Sequence, residues 1–404
     1  MTYFVRHHRF VCGLNLSLSL SFSLACLLVW PAYGFAQDTP APPPKADLAV
    51  FGPVGDEQAD AVQDDTAQTT DATDLADAPP LCFDPTPAVI SLGYPSRYTA
   101  DSKTRSDFDS KNNAAVDAAL GPIDDFVNQL ATTSNRALIA FGGDPASADA
   151  KLGADCVIEH IYQWAKLDAL SRLETEGARM SVASRVGGIA FAYATAAPMA
   201  TQDDRMAVIR DWLHARATTT MAYFDTEAPD RTSRNNLRAW AALSVARIGL
   251  TLQDDGMLDW ADASVRLVAC DANPDGSLPT EMSRGPLALH YQIHAIGPLV
   301  ITAALLQPRG AMLFDACDRA IPRAAGFIVA AIDDPKLVEA HAAAVQKFDA
   351  APEKLRAFEY AWTTAYLAHV PDLAVQGLVD RIAAQKDAKP FSNSKLGGDQ
   401  SLFW

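Results

Sequence analysis

The sequence predicts an all-α protein in which helices pair as antiparallel hairpins and the hairpins build a toroid or a solenoid. Apolar stretches of about fifteen to twenty residues recur along the chain, and each is long enough for a helix. Alanine is abundant, while the apolar–polar alternation typical of strands is scarce. Short polar, glycine or proline connectors separate the stretches, which makes neighbouring helices antiparallel.

The predicted helices follow one another without a second long linker. The first pattern spans residues 106–139 and is interrupted at Gly121-Pro122, where Pro122 suits the first turn of a helix. A later helix is predicted to start at Pro286 and to kink at Pro298. The full set of later predicted helices covers residues 156–173, 181–196, 203–224, 236–252, 257–272, 286–306, 314–332 and 353–369.

Residues 1–36 have the pattern of a cleaved secretory signal peptide. Arg6 and Arg9 precede an apolar run over residues 11–30, and the small residues Gly34 and Ala36 precede the cleavage point. A membrane anchor is the alternative, because the run approaches the length that spans a bilayer. Serines within the run and the small-residue tail favour the signal. No later stretch is expected to span a membrane, so we expect an exported protein that leaves the membrane after cleavage.

Residues 37–80 are predicted to form a disordered, Pro/Ala-rich acidic spacer. They contain ten acidic residues against one basic residue, Lys45. Such a segment buries too little apolar surface to offset the conformational entropy lost on folding. Residues 81–404 are then expected to form one helical domain.

Charge and cysteine content restrict the partners. The formal net charge of −16 argues against a nucleic-acid partner, which requires a basic surface. An acidic polysaccharide remains compatible, because a local basic cleft can bind anions inside an acidic shell. Downstream of the signal the chain has an even number of cysteines, which permits disulfides, in a wide spacing unlike a zinc site: Cys82, Cys156, Cys270 and Cys317. We expect a monomer without a metal or a cofactor.

Residues 235–298 carry the polar groups suited to one reaction. Cleavage of a uronate polymer by β-elimination removes the proton next to a carboxylate, and that proton is weakly acidic until the carboxylate charge is masked. Asn236 and Arg284 could stabilise the developing enolate, as donors in an oxyanion hole do. Tyr291 could act as the base, as the acid toward O4, or as both. No metal is needed for this chemistry.

The same residues also have ordinary structural interpretations. Tyr291 could be a core tyrosine and Arg284 a surface ion-pair partner. His294 lies one helical turn beyond Tyr291 on the same face, yet a histidine on an apolar helix is more often a buried structural residue. Trp240 could pack in the core or stack on a sugar ring.

Ordered motifs over residues 82–399 resemble the alginate lyase family of (α/α) toroids, which includes periplasmic mannuronate lyases. The segments that carry the resemblance are Ser96-Arg97-Tyr98 with Arg105, Cys156 followed by Trp164-Ala165-Lys166, Asp275-Gly276 through Glu281, Arg284 to Tyr291 with Pro298, and Lys395 to Asp399. The resemblance implies an incomplete (α/α) toroid of antiparallel helix hairpins and a location in the periplasm.

The resemblance also implies roles for particular residues. It makes Asn236 the neutraliser of the substrate carboxylate, Arg284 a clamp, and Tyr291 the acid and the base. It implies a Cys82–Cys156 disulfide and leaves Cys270 and Cys317 open. The residues expected to contact substrate are Arg97, Tyr98, Asn235, Arg238, Trp240, His290 and His294.

One position departs from the family pattern. The family motif is Asn-Asn-His-x-Tyr-Trp, whereas this chain has Leu237 at the histidine position and Ala239 at the tyrosine position. Leucine neither carries a proton nor donates a hydrogen bond. The preferred hypothesis is a lyase that cleaves alginate or a related acidic exopolysaccharide, either with Tyr291 alone or with Arg238 or His294 in the vacant role.

Two other functions were weighed against a lyase. The first is a catalytically impaired, lyase-like protein that binds polysaccharide during exopolysaccharide biosynthesis or export. The second is a helical glycoside hydrolase, which would need an acidic pair across the cleft, for which Glu281 and Glu359 are the candidates.

Overall fold

The computed structural model describes residues 81–348, 350–351, 354–385 and 390–404. The predicted signal peptide and spacer, residues 1–36 and 37–80, lie outside the described residues.

The described chain is predominantly helical, as predicted. Its helices are α1 Ser110–Gly143, α2 Ala148–Lys166, α3 Glu176–Ala196, α4 Asp203–Thr226, α5 Asn236–Leu252, α6 Asp255–Ala269, α7 Pro279–Met282, α8 Ala288–Leu306, α9 Ala316–Asp333, α10 Lys336–Ala342, α11 Ala357–Tyr360, α12 Trp362–His369 and α13 Leu373–Ala383.

The helices form two rows. In the first row α1, α3, α5, α8 and α12 pack against one another in that order. Each of them also packs against the long helix that follows it, so α2, α4, α6, α9 and α13 make the second row. Short connectors between partners give the antiparallel hairpins that the sequence predicts. This arrangement is that of an (α/α) toroid.

Two short sheets accompany the helices, and the first of them joins distant parts of the chain. Strand β1 (Ser91–Leu92) pairs in parallel with β2 (Arg172–Leu173), and β3 (Ser392–Asn393) pairs antiparallel with β4 (Gly398–Asp399). The first sheet attaches the extended segment before α1 to the connection between α2 and α3.

Several predicted helix boundaries were wrong. Pro122 lies inside α1 rather than in a first turn, because buried residues on both sides of it, Leu120 and Ile123, keep one helical face against the core. Residues 172–173 form a strand instead of extending α2. Where one helix was predicted over residues 353–369, the described residues 354–369 contain two helices, α11 and α12, with a break at Ala361. In each case tertiary contacts override local propensity.

The segment Gly285–Arg309, which includes α8, is long and apolar enough to cross a membrane, contrary to the expectation from sequence. Most of it is buried inside the protein. A central helix surrounded by other helices needs the same apolar surface on all sides that a membrane span needs. Burial therefore accounts for its composition.

Two disulfides stabilise the domain. Cys82–Cys156 is present as expected, with its Cα atoms 5.5 Å apart. Cys270 and Cys317 form the second, with Cα atoms 5.3 Å apart. The second bridge joins the end of α6 to the start of α9.

The C-terminal turn holds the end of the chain against α1 and α3. Lys395 Nζ lies 3.2 Å from Asp124 of α1, and the same carboxylate pairs with Arg185 of α3 at 2.8 Å. Burial acts to raise the pKa of Asp124, but the charges and hydrogen bonds of Arg185 and Lys395 outweigh it and hold that pKa below its usual value. The carboxylate is therefore ionised and binds both cations.

Gly276 lets the link between α6 and α7 approach α9. Its φ is +96°, and a Cβ there would lie 2.1 Å from the carbonyl oxygen of Arg323. Its own carbonyl accepts a 3.0 Å hydrogen bond from Gln292 Nε2 on α8. The segment that carries Glu281 and Arg284 thus depends on a residue without a side chain.

We expect Gly276→Ala to lower the free energy of unfolding by about 3 kcal/mol, because strain at positive φ adds to a backbone clash. Gly310→Ala is the matched control: its φ is +86°, but an added Cβ meets open space. The control should lose only about 1 kcal/mol. Urea denaturation measures both, and equal losses would contradict the packing role of Gly276.

Candidate active site

The site forms where the loop before α1, the start of α5 and the start of α8 meet. α8 begins at Ala288, after a 3-10 turn over Gly285–Leu287, so Tyr291 lies in its first turn and not in the second. Arg284 immediately precedes that turn, in the connection predicted from sequence. Tyr98 comes from the loop over residues 96–109.

Arg284 holds two tyrosines together. Its guanidinium carbon lies 3.5 Å from the centre of the Tyr291 ring, and its Nη2 donates a 3.0 Å hydrogen bond to the Tyr98 hydroxyl. The hydroxyls of Tyr98 and Tyr291 are in direct hydrogen-bond contact. The Arg284 guanidinium, the ring face of Tyr291 and the hydroxyls of Tyr98 and Tyr291 therefore form one group of contacts. We call it the Tyr98–Arg284–Tyr291 constellation.

The rest of the Arg284 side chain anchors the loop of Tyr98. Nε donates to the Thr104 carbonyl oxygen at 3.1 Å, and Nη2 also donates to the Arg105 carbonyl oxygen at 2.7 Å. These contacts fix the loop over α8. The carbonyl acceptors could not have been found from sequence, because backbone groups carry no residue signature.

The environment keeps Arg284 charged and Tyr291 protonated at rest. Burial acts to lower the pKa of Arg284, but Tyr291, Tyr98 and Glu281 reverse this and raise it. Burial raises the pKa of Tyr291, and the opposing charge of Arg284 does not restore it to the usual value. Tyr291 is thus a proton donor at neutral pH whose phenolate would be stabilised mainly by Arg284.

Asn236 is held by Glu281. The Glu281 carboxylate accepts from the backbone nitrogen of Asn236 at 2.8 Å and from its Nδ2 at 2.9 Å. Burial raises the pKa of Glu281, although these hydrogen bonds and the charges of Arg284 and Arg231 oppose the rise. Glu281 therefore fixes the orientation of the Asn236 amide, a role that the sequence did not reveal.

The two histidines of α8 lie close to Tyr291 but have little proton affinity. Burial, with nearby positive charges, lowers the pKa of His290 to about 3. Burial, followed by His290 and Lys395, lowers that of His294 to about 3. The His294 ring centre lies 5.3 Å from that of Trp240 and 6.4 Å from that of Tyr291. Both histidines are neutral in the physiological range.

Arg238 does not join the tyrosine pair. Its guanidinium donates to the Phe224 carbonyl oxygen at 3.0 Å, to Asp225 at 2.8 Å and to Ser264 at 3.0 Å, and it lies over the ring of Trp260. All these partners belong to α4 and α6, behind α5. The structure therefore gives Arg238 structural contacts rather than the vacant role of the motif histidine.

Two other residues predicted to contact substrate, Asn235 and Arg97, bind groups of the protein itself. Asn235 caps α5, since its Oδ1 accepts from the Leu237 backbone nitrogen at 2.9 Å. Arg97 donates a 2.9 Å hydrogen bond to Asn113 and lies 3.7 Å from Asp117. Its guanidinium thus attaches the loop of Tyr98 to α1.

Leu237 is half-buried and packs on a small apolar cluster. The buried members of that cluster are Ala183, Tyr223, Phe224 and Ala241. A leucine suits this setting, because it buries its methyl groups without leaving a polar atom unpaired.

The acidic residues proposed for a hydrolase have other partners. Glu281 is bound to Asn236, and Glu359 accepts from the backbone nitrogen of Arg356 at 2.6 Å at the start of α11. The described chain contains one cluster of potential metal ligands, Cys82, Cys156 and His160. Its two sulfurs are joined in a disulfide and offer no thiolate.

Comparison with known proteins identifies the family. The profile named Alginate lyase matches residues 105–338. The chain belongs to the alginate lyase family. Together with the relatives below, this membership makes it a polysaccharide lyase.

Relatives cover most of the chain. A polysaccharide lyase of Stenotrophomonas maltophilia (strain K279a) is 30% identical over 320 residues, which are 78% of this chain and 87% of that protein. An alginate lyase of Pseudomonas syringae pv. syringae (strain B728a) is 24% identical over 324 residues, covering 78% and 80% of the two chains.

Solved structures share the fold. Alginate lyase A1-III from Sphingomonas species A1 aligns with a TM-score of 0.61 at 20% identity, over 83% of this chain and 91% of that one. A variant of A1-III complexed with a tetrasaccharide aligns with a TM-score of 0.63 at 22% identity, over 84% and 91%. These alignments confirm the predicted toroid.

Proposed function

We propose that this polysaccharide lyase cleaves a uronate polymer, alginate or a related acidic exopolysaccharide, by β-elimination in the periplasm. The observation that carries the proposal is the Tyr98–Arg284–Tyr291 constellation. It places a tyrosine hydroxyl, a second hydroxyl and a fixed positive charge together at the start of α8.

The reaction moves one proton from C5 to O4 and breaks the C5–H and C4–O4 bonds. The reactive form of Tyr291 is the phenolate, which forms when the hydroxyl loses its own proton to solvent. The phenolate removes the C5 proton of the uronate, the C4–O4 bond breaks, and a C4–C5 double bond forms. The departing O4 receives the proton from the same hydroxyl. Arg284 stabilises the phenolate form of Tyr291, while the Asn236 amide, oriented by Glu281, donates to the carboxylate that bears the developing enolate charge.

A single acid–base group predicts the stereochemistry of the substrate. In mannuronate and glucuronate residues the C5 proton and O4 leave from the same side of the ring, within reach of one tyrosine. In guluronate residues they leave from opposite sides. Polymannuronate and polyglucuronate are therefore the proposed substrates.

Leu237 supports a mechanism without a histidine base. Its position is apolar, and Arg238 is bound elsewhere. His294, whose pKa burial lowers to about 3, is a weak proton acceptor. Leu237 also favours a second candidate function, binding of a uronate polymer without cleavage. The signal pattern of residues 1–36 supports export, and we expect the mature protein to act as a monomer.

The first test is ultraviolet absorbance of the mature protein with polymannuronate, polyglucuronate and polyguluronate, because elimination creates an absorbing unsaturated uronate. Absorbance should rise with the first two polymers. Tyr291→Phe should lower kcat by at least about a hundredfold, because the proton carrier is lost, with little change in affinity. Tyr162→Phe on α2 should leave kcat unchanged.

Absence of the unsaturated product, with binding of polymannuronate retained, would contradict the proposed cleavage and establish the binding function. Full activity of Tyr291→Phe would show that another group moves the proton.

The pH dependence of kcat/KM distinguishes tyrosine from histidine as the base. Because burial raises the pKa of Tyr291, the reactive phenolate fraction should grow about tenfold per pH unit through the neutral and mildly alkaline range. A base such as His290 or His294, whose pKa burial lowers to about 3, would instead give a rate that is flat through the neutral range. Initial rates at several pH values, normalised for folded protein, measure the profile, and a plateau near neutrality would exclude Tyr291 as the base.

A further inference from the structure

Arg105 and Arg231 lie near Arg284 and come from different loops. Both side chains are exposed. The Arg105 carbonyl oxygen accepts a 2.7 Å hydrogen bond from Arg284, which places this residue at the edge of the site. Arg231 contacts the hydroxyl of Ser283, the residue before Arg284. We call Arg105 and Arg231 the rim arginines.

The rim arginines concentrate positive charge that the protein does not neutralise. Neither forms an ion pair within the described part of the chain. The charges of Arg284 and Arg105 reach Arg231 and act with burial to lower its pKa, while Glu281 opposes them. Glu281 is a single buried carboxylate already bound to Asn236. The guanidinium groups of Arg284 and Arg231 thus act on one buried carboxylate that is already hydrogen-bonded to Asn236.

Arg284 has limited capacity to bind a further carboxylate. Nε and Nη2 donate to Thr104, Arg105 and Tyr98, and the guanidinium plane is covered by the Tyr291 ring. The carboxylate of a neighbouring sugar in the bound polymer would instead meet the exposed rim arginines. Their guanidinium groups have donors available for the two-point contact that guanidinium makes with carboxylate.

We infer that Arg105 and Arg231 form an anion subsite that binds the carboxylate of a uronate residue adjacent to the one that reacts, while Arg284 positions the tyrosines. The inference rests on the proposed function and deepens it. The rim arginines are specificity residues: they select polymers with a carboxylate on consecutive sugars and contribute to substrate binding rather than to proton transfer.

The test compares Arg105→Ala, Arg231→Ala and Arg231→Lys on polymannuronate. Each alanine variant should raise KM about tenfold with kcat within about twofold, because one charge-assisted contact is lost. Arg231→Lys should recover only part of the loss, since lysine cannot make the two-point contact. Arg266→Ala is the control: this arginine pairs with Asp262 within α6 and is similarly exposed.

Binding is measured separately in a Tyr291→Phe background by calorimetry with polymannuronate. There the alanine substitutions should weaken affinity about tenfold, and the loss should shrink at high salt. Unchanged KM and affinity in a protein that still cleaves the polymer would overturn the subsite and leave the proposed function standing. A fall in kcat at constant KM would also overturn it. A wild-type protein that neither binds nor cleaves polyuronates would refute both.

Discussion

The stacking of the Arg284 guanidinium on Tyr291, at 3.5 Å, connects the parts of this enzyme that are far apart in sequence. The same group donates to Tyr98, and the two tyrosine hydroxyls that meet there lie 193 residues apart. A buried cation is costly unless its donors are satisfied. Here the carbonyl oxygens of Thr104 and Arg105 satisfy it, so the stability of the loop and the geometry of the reacting groups depend on one side chain.

The fold provides the rigid support that this arrangement needs. α8 is buried along nearly its whole length, and Tyr291 and His294 lie on its partly exposed face. Glu281 joins the segment before α8 to the first residue of α5, so that Asn236 and Arg284 are fixed relative to each other. A site on helix ends held by buried contacts retains its geometry better than one on free loops. Proton transfer requires the donor and the acceptor to be held at hydrogen-bond distance, and this rigid support restricts their movement.

The sequence predicted the helices and grouped Asn236, Arg284 and Tyr291 as one candidate site, because periodicity and ordered motifs are local signals. It did not predict the partners of side chains whose role depends on the direction in which they leave the helix. Arg238 follows Asn236 by two residues, about 200° around a helix, so it points to α4 and α6 instead of toward the tyrosines. The pairing of Glu281 with Asn236 spans 45 residues, and no local pattern encodes it. Pro122 looked like a helix start because the core packing that carries α1 through it is a long-range effect.

In the proposed mechanism, Arg284 organises two tyrosines into the proton-transfer group that a histidine would otherwise supply. The most direct measurement is the rate of formation of unsaturated uronate by Arg284→Met, a variant that keeps the length of the side chain but removes its charge and its donors. We expect kcat to fall by about a thousandfold, with the helical fold retained as measured by circular dichroism. Turnover within about tenfold of wild type would show that the tyrosines do not depend on this arginine.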